Sequence, residues 1–425
     1  RAARPGLSSA TAPLMDAVAR EVGREPWEVR MENLVPASAM PYVNVANKHF
    51  DSGDFPASLR RAVEMIGLDA IRERQARGEP DGRLIGFGTA IYTEQSAHGT
   101  TVFANWGLPV VPGFDQAVVR MTADGGLEVR VGVHSHGQGM ETSFAQIAND
   151  VLGIPVERIR VVHGDTALTP FSSGTYASRA TVMSGGAISV ACKELLPRIQ
   201  SIAGYLMGVD AQTVALIEGR AVAGDKSIPL SEVGGAWYLT PQDLPANVHL
   251  GGLEVSRAYK PKVDTGTFTY ATHAVVVAVD TETGEVEILD YVVVEDCGTM
   301  VNPMIVEGQT IGGIAQGIGT AMYEESPYDD QGQPLASTLA DYILPGATEV
   351  PRIRIEHFET PSPHTEFGAK GVGEGGAIAP PAVIFNAVDD ALRGTGAAEV
   401  LMTPLTPRRL LTALEGAKQQ KDPGQ

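Results

Sequence analysis

Residues 273–294 read HAVVVAVDTETGEVEILDYVVV, and the fold class turns on them. His273 to Val279 carries β-branched and small apolar side chains, the mark of a strand. Thr283-Gly284 supplies a turn, and Val286 to Val294 returns as the second arm of a hairpin. After a loop through Asn302-Pro303, Glu307-Gly308-Gln309 opens a helix that runs toward Met322. The same grammar occurs earlier in the chain. Ala117 to Met121, the turn Asp124-Gly125-Gly126 and Leu127 to Val133 make a hairpin. His136-Gly137-Gln138-Gly139-Met140 follows, then a helix from Glu141 to Leu152. Two runs of hairpin, Gly-Gln loop and helix predict an α+β fold: two-layer units of β-hairpins and helices around one cleft.

Outward from these units, Ser8 to Val35 reads as a helix and its exit, with Ser8 and Ser9 as N-cap candidates. Arg1 to Gly6 has the composition of a loop interior. A second helix is expected from Phe55 to Gln75, where Leu59, Ala62, Val63 and Ile66 mark one face. The charged run Arg72 to Arg83 reads as a solvated linker, and Leu84 to Tyr92 as a strand. The expected organisation is a helical lead-in and linker over 1–82 and a site-bearing domain over 83–425. The latter divides into two related subdomains, 83–260 and 261–425. Within them 203–260 is less regular and fits a small insertion, and the polar tail from Gly416 is expected to fray.

Composition narrows the function. The 425 residues carry a formal charge of −19, which repels phosphate backbones and argues against nucleic-acid binding. With 43% hydrophobic and 20% charged residues the chain is globular in balance. Only Cys192 and Cys297 are present, so a disulfide framework or a Cys₄ iron–sulfur or zinc site within this chain is excluded. The uncharged stretch Ser96–Phe114 holds three glycines and two prolines and does not fit a membrane span. The opening residues show no signal-peptide pattern, so the expectation is a cytoplasmic chain, and with Arg1 in place of Met a fragment or a processed piece is expected.

Three glycine-bracketed polar loops could carry chemistry: Gly137-Gln138-Gly139, Gly308-Gln309 with Gln316-Gly317, and Gly371-Val372-Gly373-Glu374-Gly375-Gly376 ahead of a helix from about Pro381 to Leu392. Helix starts carry free N–H groups and a partial positive charge, suited to an anionic ligand. Gln adds both donor and acceptor, suited to the edge of a heterocycle. Gly371, Gly373 and Gly376 fit G-x-G-x-x-G literally, but Thr360-Pro361-Ser362-Pro363 is not a strand entering the loop. Glu374 would also face a pyrophosphate with negative charge, so a dinucleotide fold is rejected. A buried Glu374 would suit a general base; an exposed one would be a turn residue. Lys370, four residues away, could orient it or its ligand. Phe171 to Thr181 is rich in hydroxyls ahead of an apolar helix, Met183 to Leu196. His134 and His136, alternating on a strand, lack a third ligand nearby and read as structural, as do both cysteines.

Gly137-Gln138-Gly139-Met140-Glu141-Thr142, Ser178-Arg179-Ala180-Thr181, Glu307-Gly308-Gln309 with Ala315-Gln316-Gly317-Ile318-Gly319, and Gly368 to Glu374 occur in this order. The chain thereby resembles the C-terminal, cofactor-binding portion of the large subunit of molybdenum hydroxylases: xanthine dehydrogenase, aldehyde oxidoreductase and carbon monoxide dehydrogenase. The resemblance spans essentially the whole chain and implies the fold of that family's second molybdenum-cofactor-binding domain. It implies a molybdenum–pyranopterin cofactor, with the cytosine dinucleotide as one form, and no protein ligand to the metal. Gly137, Gln138, Gly139, Ala177, Ser178, Thr181, Gln309 and Gly373 would line the cofactor, and Glu374 would be the catalytic base. Trp106 and Leu108 would border the substrate channel of a small molecule. The implied reaction puts water-derived oxygen into an electron-poor C–H bond of an aldehyde or N-heterocycle. Its two electrons would leave through iron–sulfur clusters and FAD on partner chains: a small [2Fe–2S] subunit, a FAD subunit, and beside them the remaining half of the large subunit. The alternative is a non-catalytic assembly or scaffold fragment that keeps the fold without turnover; a Glu placed between glycines argues against it.

Overall fold

The computed structural model describes residues 3–246, 248, 251–397 and 402–421. Two four-stranded mixed sheets organise the chain, and each repeats one connection pattern. In the first, Asp115–Met121 and Leu127–Val131 form an antiparallel hairpin, and helix Met140–Leu152 crosses over. Ile159–Val162 then returns parallel to the second arm, ahead of the long helix Ala180–Met207. In the second, the hairpin is Thr267–Val279 with Val286–Asp296, the crossover is helix Pro303–Met322, and Ile353–Phe358 returns parallel, ahead of helix Pro380–Leu392. The α+β class is as read from the sequence, and the repeat is longer than its hairpin, loop and helix. Each sheet is completed by a strand antiparallel to the first hairpin arm: Glu254–Tyr259 in one, Leu84–Ser96 in the other.

Packing explains why the two hairpins look different as sequence. Asp115–Met121 buries alternate residues, and its apolar face joins Val129 and Val131 against Phe144, Ile188 and Leu195. The second sheet is covered on both faces. Val275, Val277 and Val293 pack with Ile314, Ile318 and Ala387, while Phe87, Val276 and Val292 pack with Ala62, Ile66 and Ile71. Thr267–Val279 is therefore buried along its whole length, and a strand apolar on both faces reads as a continuous run rather than an alternation.

His273 sits in this run, fully buried, with Nδ1 2.8 Å from the Tyr291 hydroxyl and Nε2 without a partner. Burial holds its pKa down at about 3, so the folded ring stays neutral while the unfolded one gains a proton below about 6.5. The folded state thus loses stability as pH falls from about 6.5 toward 3, by about 1.4 kcal/mol per pH unit from this one proton. His273→Asn is expected to flatten that part of the stability curve, measured by urea unfolding at stepped pH.

Several sequence expectations need correction. The first helix begins at Ala3, not Ser8, because a proline in a first turn lacks only an N–H that has no helical partner there. It ends at Glu21, and a separate helix starts on Pro26 and runs to Asn33. The helix expected over Phe55–Gln75 is two, Phe55–Ile66 and Leu68–Arg77, broken at Gly67 in the left-handed conformation (φ 73°). Arg72 to Arg77 is therefore helical rather than a solvated linker, and Arg72 bridges Glu25 at 2.6 Å and Asp390 at 2.7 Å. The strand predicted to end at Tyr92 continues to Ser96 and pairs with Thr267–Val279. Residues 84–96 therefore group with the second sheet, not with a subdomain 83–260. The irregular stretch 203–260 contains a three-stranded antiparallel sheet (residues 215–229), helix Leu230–Tyr238 and the outer strand of the first sheet. The tail is helical in backbone over Pro407–Lys421; residues 422–425 lie outside the described residues. No helix among the described residues is long and apolar enough to cross a membrane.

Candidate functional site

The two units face each other through the loops that precede their second helices, residues 172–179 and 369–379. Ala177 and Ser178 both adopt left-handed backbone, φ 48° and 55°, which non-glycine residues hold only under constraint. The constraint is visible. Ala97, just past the strand Leu84–Ser96, donates its N–H to the Ala177 carbonyl at 3.0 Å. Ser178 donates its hydroxyl to Glu94 at 2.9 Å and accepts the Glu374 N–H at 3.1 Å. Gly371 lies so close that a Cβ there would stand 2.0 Å from the Ser178 carbonyl oxygen, which requires glycine.

This contact decides where Glu374 sits. Its side chain is 8% exposed, and Oε1 accepts the Ala177 N–H at 3.0 Å. It is not a turn residue in open water. Gln309, expected in a loop, lies inside helix Pro303–Met322 and donates Nε2 to the Gly373 carbonyl at 2.6 Å, tying the Gly371 loop to that helix. Lys370 is 2% exposed and anchors the base of the Gly371 loop: its N–H reaches the Cys297 carbonyl at 2.7 Å, and its Nζ reaches Ser52 and Thr360. Burial pulls the Lys370 amine below its usual pKa, against the pull of Asp51 and Asp296.

A cavity of about 280 Å³ opens beside these loops. Its wall includes Gly137, Gln138, Ser178, Thr181, Gln309 and Gly373, six of the residues picked from the sequence. Gly139 and Ala177 stand one residue behind the wall, and Glu374 directly follows its last glycine. Trp106 and Leu108 are half-exposed and not on the wall; the Trp106 ring packs on His98 (4.8 Å between centroids) and Phe103 (5.9 Å). Phe103 in turn stacks on Tyr176, which does line the cavity.

Three helix starts surround this space. Helices Met140–Leu152 and Ala180–Met207 begin without a side-chain cap, leaving first-turn N–H groups at Met140, Ala180 and Thr181 on the wall. Helix Pro303–Met322 is capped by Asn302, whose Nδ2 also reaches Gln146 at 2.9 Å. Gln138 accepts the His136 N–H through Oε1, while its Nε2 is buried with no partner. A buried orphan amide on a cavity wall calls for an acceptor inside the cavity. Arg179 lines the same space but is committed elsewhere: it pairs with fully buried Asp115 at 2.9 Å and donates to the Gly174 and Phe114 carbonyls. Burial raises the Asp115 carboxyl above its ordinary pKa, with Arg179, Ser172 and Ser184 pulling it back.

His134 and His136 lie beyond the strand that ends at Val131, with their Nε2 atoms 3.1 Å apart. Among the described residues no group of three or more His, Cys, Asp or Glu side chains is placed to hold a metal ion. Cys297 is on the wall, yet burial pushes its thiol well up; the core Cys192 is pushed to about 12. The residues that sequence reasoning missed are His136, Tyr176, Asn302 and Glu94. For Glu94 a signal existed, an acid two residues after Tyr92 near the end of an apolar strand.

Helix starts and glycine turns line this cleft, and such N–H groups suit an anionic ligand. Residues 61–351 match the family of the molybdopterin cofactor-binding domain, and the chain belongs to that family. It is 34% identical over 408 residues to the nicotine 6-hydroxylase large subunit of Paenarthrobacter nicotinovorans, covering 95% of this chain and 49% of that protein. It is 33% identical over 406 residues to the carbon monoxide dehydrogenase large chain of Hydrogenophaga pseudoflava, covering 95% and 50%. Its fold is similar to that of quinoline 2-oxidoreductase from Pseudomonas putida 86, with TM-score 0.88, 35% identity, and coverage of 96% of this chain and 52% of that one. The chain spans about half the length of the curated relatives it matches.

Proposed function

We propose that this chain is the cofactor-binding C-terminal part of the large subunit of a molybdenum hydroxylase, acting on an electron-poor C–H bond of a small N-heterocycle or aldehyde. The observation that carries this reading is the pairing of one buried carboxylate with one buried orphan amide. Glu374 is fixed by the Ala177 N–H beside the cavity, and Gln138, a residue of the cavity wall, has a buried Nε2 without a partner. The names of two relatives, nicotine 6-hydroxylase and quinoline 2-oxidoreductase, favour the heterocycle.

The residues present fit a molybdenum–pyranopterin, in its cytosine dinucleotide form or without the nucleotide. Gln138 and the backbone of Gly137 and Gly373 would hold it, and the amides of Ala180 and Thr181 would face its phosphate. When bound, the group supplies an oxidising metal centre that takes up two electrons. Glu374 acts as general base: held at Oε1, it can receive a proton from an attacking oxygen derived from water, assistance typically worth about 10² to 10⁴ in rate. The Gly371–Gly373 backbone and Ser178 hold that carboxylate in place. Trp106 connects to Tyr176 through Phe103, and Trp106 and Leu108 would border the approach of a flat substrate rather than its final seat. With two cysteines, both buried, this chain offers no route of its own for electrons. An iron–sulfur chain and a FAD chain are the partners the reading requires, together with the remaining half of the large subunit.

The test is elemental analysis of the protein purified with its partner chains: molybdenum is expected near one per large subunit. Gln138→Ala is expected to lower that content severalfold, because an unpartnered amide of a wall residue is gone. Unchanged molybdenum in Gln138→Ala would remove the cofactor role of that residue.

A further inference from the structure

Beneath the Gly371–Gly376 turn lies a second carboxylate that the proposed reaction does not use. Glu94 is 1% exposed, near the end of the strand Leu84–Ser96. A carboxylate at that depth needs hydrogen bonds, and Oε1 accepts the Ser178 hydroxyl at 2.9 Å. The same Ser178 oxygen accepts the Glu374 N–H at 3.1 Å. A serine hydroxyl has one hydrogen and two lone pairs. With the hydrogen directed at Glu94, a lone pair is turned toward Glu374.

We propose that Glu94 is a positioning residue for the candidate base. It fixes the rotor of Ser178, Ser178 fixes the backbone of Glu374, and the neighbouring Ala177 presents its N–H to the Glu374 carboxylate. This rests on the assignment of Glu374 as base made above.

Two further observations point the same way. Ala177 and Ser178 are in left-handed backbone, a strained conformation for non-glycine residues that persists only when its surroundings hold it. The strand end supplies that hold: Ala97 bonds the Ala177 carbonyl, Ser96 accepts the Gly371 N–H at 3.1 Å, and Glu94 takes the Ser178 hydroxyl. Glu94 also supports the turn from below. A Cβ on Gly375 would stand 3.8 Å from Glu94 Oε2 and 2.6 Å from the Tyr92 hydroxyl, so these two strand side chains form the floor under Glu374. Tyr92 is held protonated by burial, with the charges of Glu295 and Glu94 adding to that effect. The strand that completes the second sheet is thus also the platform that aligns the two loops.

The test uses the full large subunit assembled with its partner chains. In Glu94→Ala, amide exchange of Ala177 and Glu374, read by hydrogen–deuterium exchange, is expected to accelerate at least about tenfold. Its kcat is expected to fall about tenfold at unchanged KM and molybdenum content. Glu94→Gln keeps an acceptor oxygen for Ser178 and should stay within about threefold of the parent in both readouts. Unchanged exchange in Glu94→Ala overturns the proposal, and so does a Glu94→Gln enzyme as impaired as Glu94→Ala. If Glu94→Ala does not assemble, Ser178→Ala removes the same link, and unchanged Glu374 exchange in that variant overturns it equally. Exchange is read without turnover, so failure of the base assignment, seen as full activity in Glu374→Gln, is separable from failure of the positioning role.

Discussion

Glu374→Gln in the complete enzyme is expected to keep its molybdenum and lose at least about a hundredfold in turnover. The amide keeps the shape of the side chain and an oxygen to accept the Ala177 N–H, so the loop should hold its position. What disappears is the capacity to take a proton at that site. The loss should fall on kcat rather than KM, because a base acts on the reacting oxygen and adds little to substrate binding. The measurement is steady-state kinetics normalised to metal content. A variant that turns over within about threefold of the parent would remove Glu374 from the mechanism.

The second large effect is on stability. Asp115→Ala is expected to destabilise the protein by about 3–5 kcal/mol, because it strands the buried Arg179 charge without its partner. Arg179 is 1% exposed and Asp115 is fully buried, so water cannot easily take over. Asp115 also receives the hydroxyls of Ser172 and Ser184, and the whole group sits at the start of helix Ala180–Met207. Its loss should loosen the first-turn amides that line the cavity, lowering molybdenum occupancy as well. Urea midpoints provide the check, with Asp115→Ala/Arg179→Met as control. Removing both charges should recover most of the loss, and a single variant as stable as the parent would contradict the account.

The parts of this architecture that could be read from sequence are those written in local pattern. Both hairpins, the Gly137 and Gly371 loops and the crossover helices rest on turn residues and periodicity, and the structure has them; Gly308-Gln309, read as a loop, lies inside helix Pro303–Met322. Boundaries were less legible for physical reasons. Gly67 ends a helix by adopting a left-handed conformation that the apolar pattern on either side does not announce. Arg72 looked solvated because its partners, Glu25 and Asp390, are distant in sequence. At the site, glycines and a lone Glu374 marked the loops. The residues that align those loops, Glu94, Ser96 and Ala97, act across 80 positions or more, and the one local sign is the acid Glu94 near the end of an apolar strand. Arg179, within a motif of the site, has its charge neutralised inside by Asp115, a partner 64 positions away in sequence.

The outer strand Leu84–Ser96 is made well before its hydrogen-bonding neighbour Thr267–Val279. Two sheets and four helices must be synthesised before that neighbour exists, so the nascent chain carries an unmatched apolar ribbon throughout that interval. Such a segment invites aggregation and favours shielding by a chaperone. It also means that a cut between the two sheets would not yield two autonomous pieces: the earlier one would keep a strand it cannot use, and the later one would be left with a raw edge.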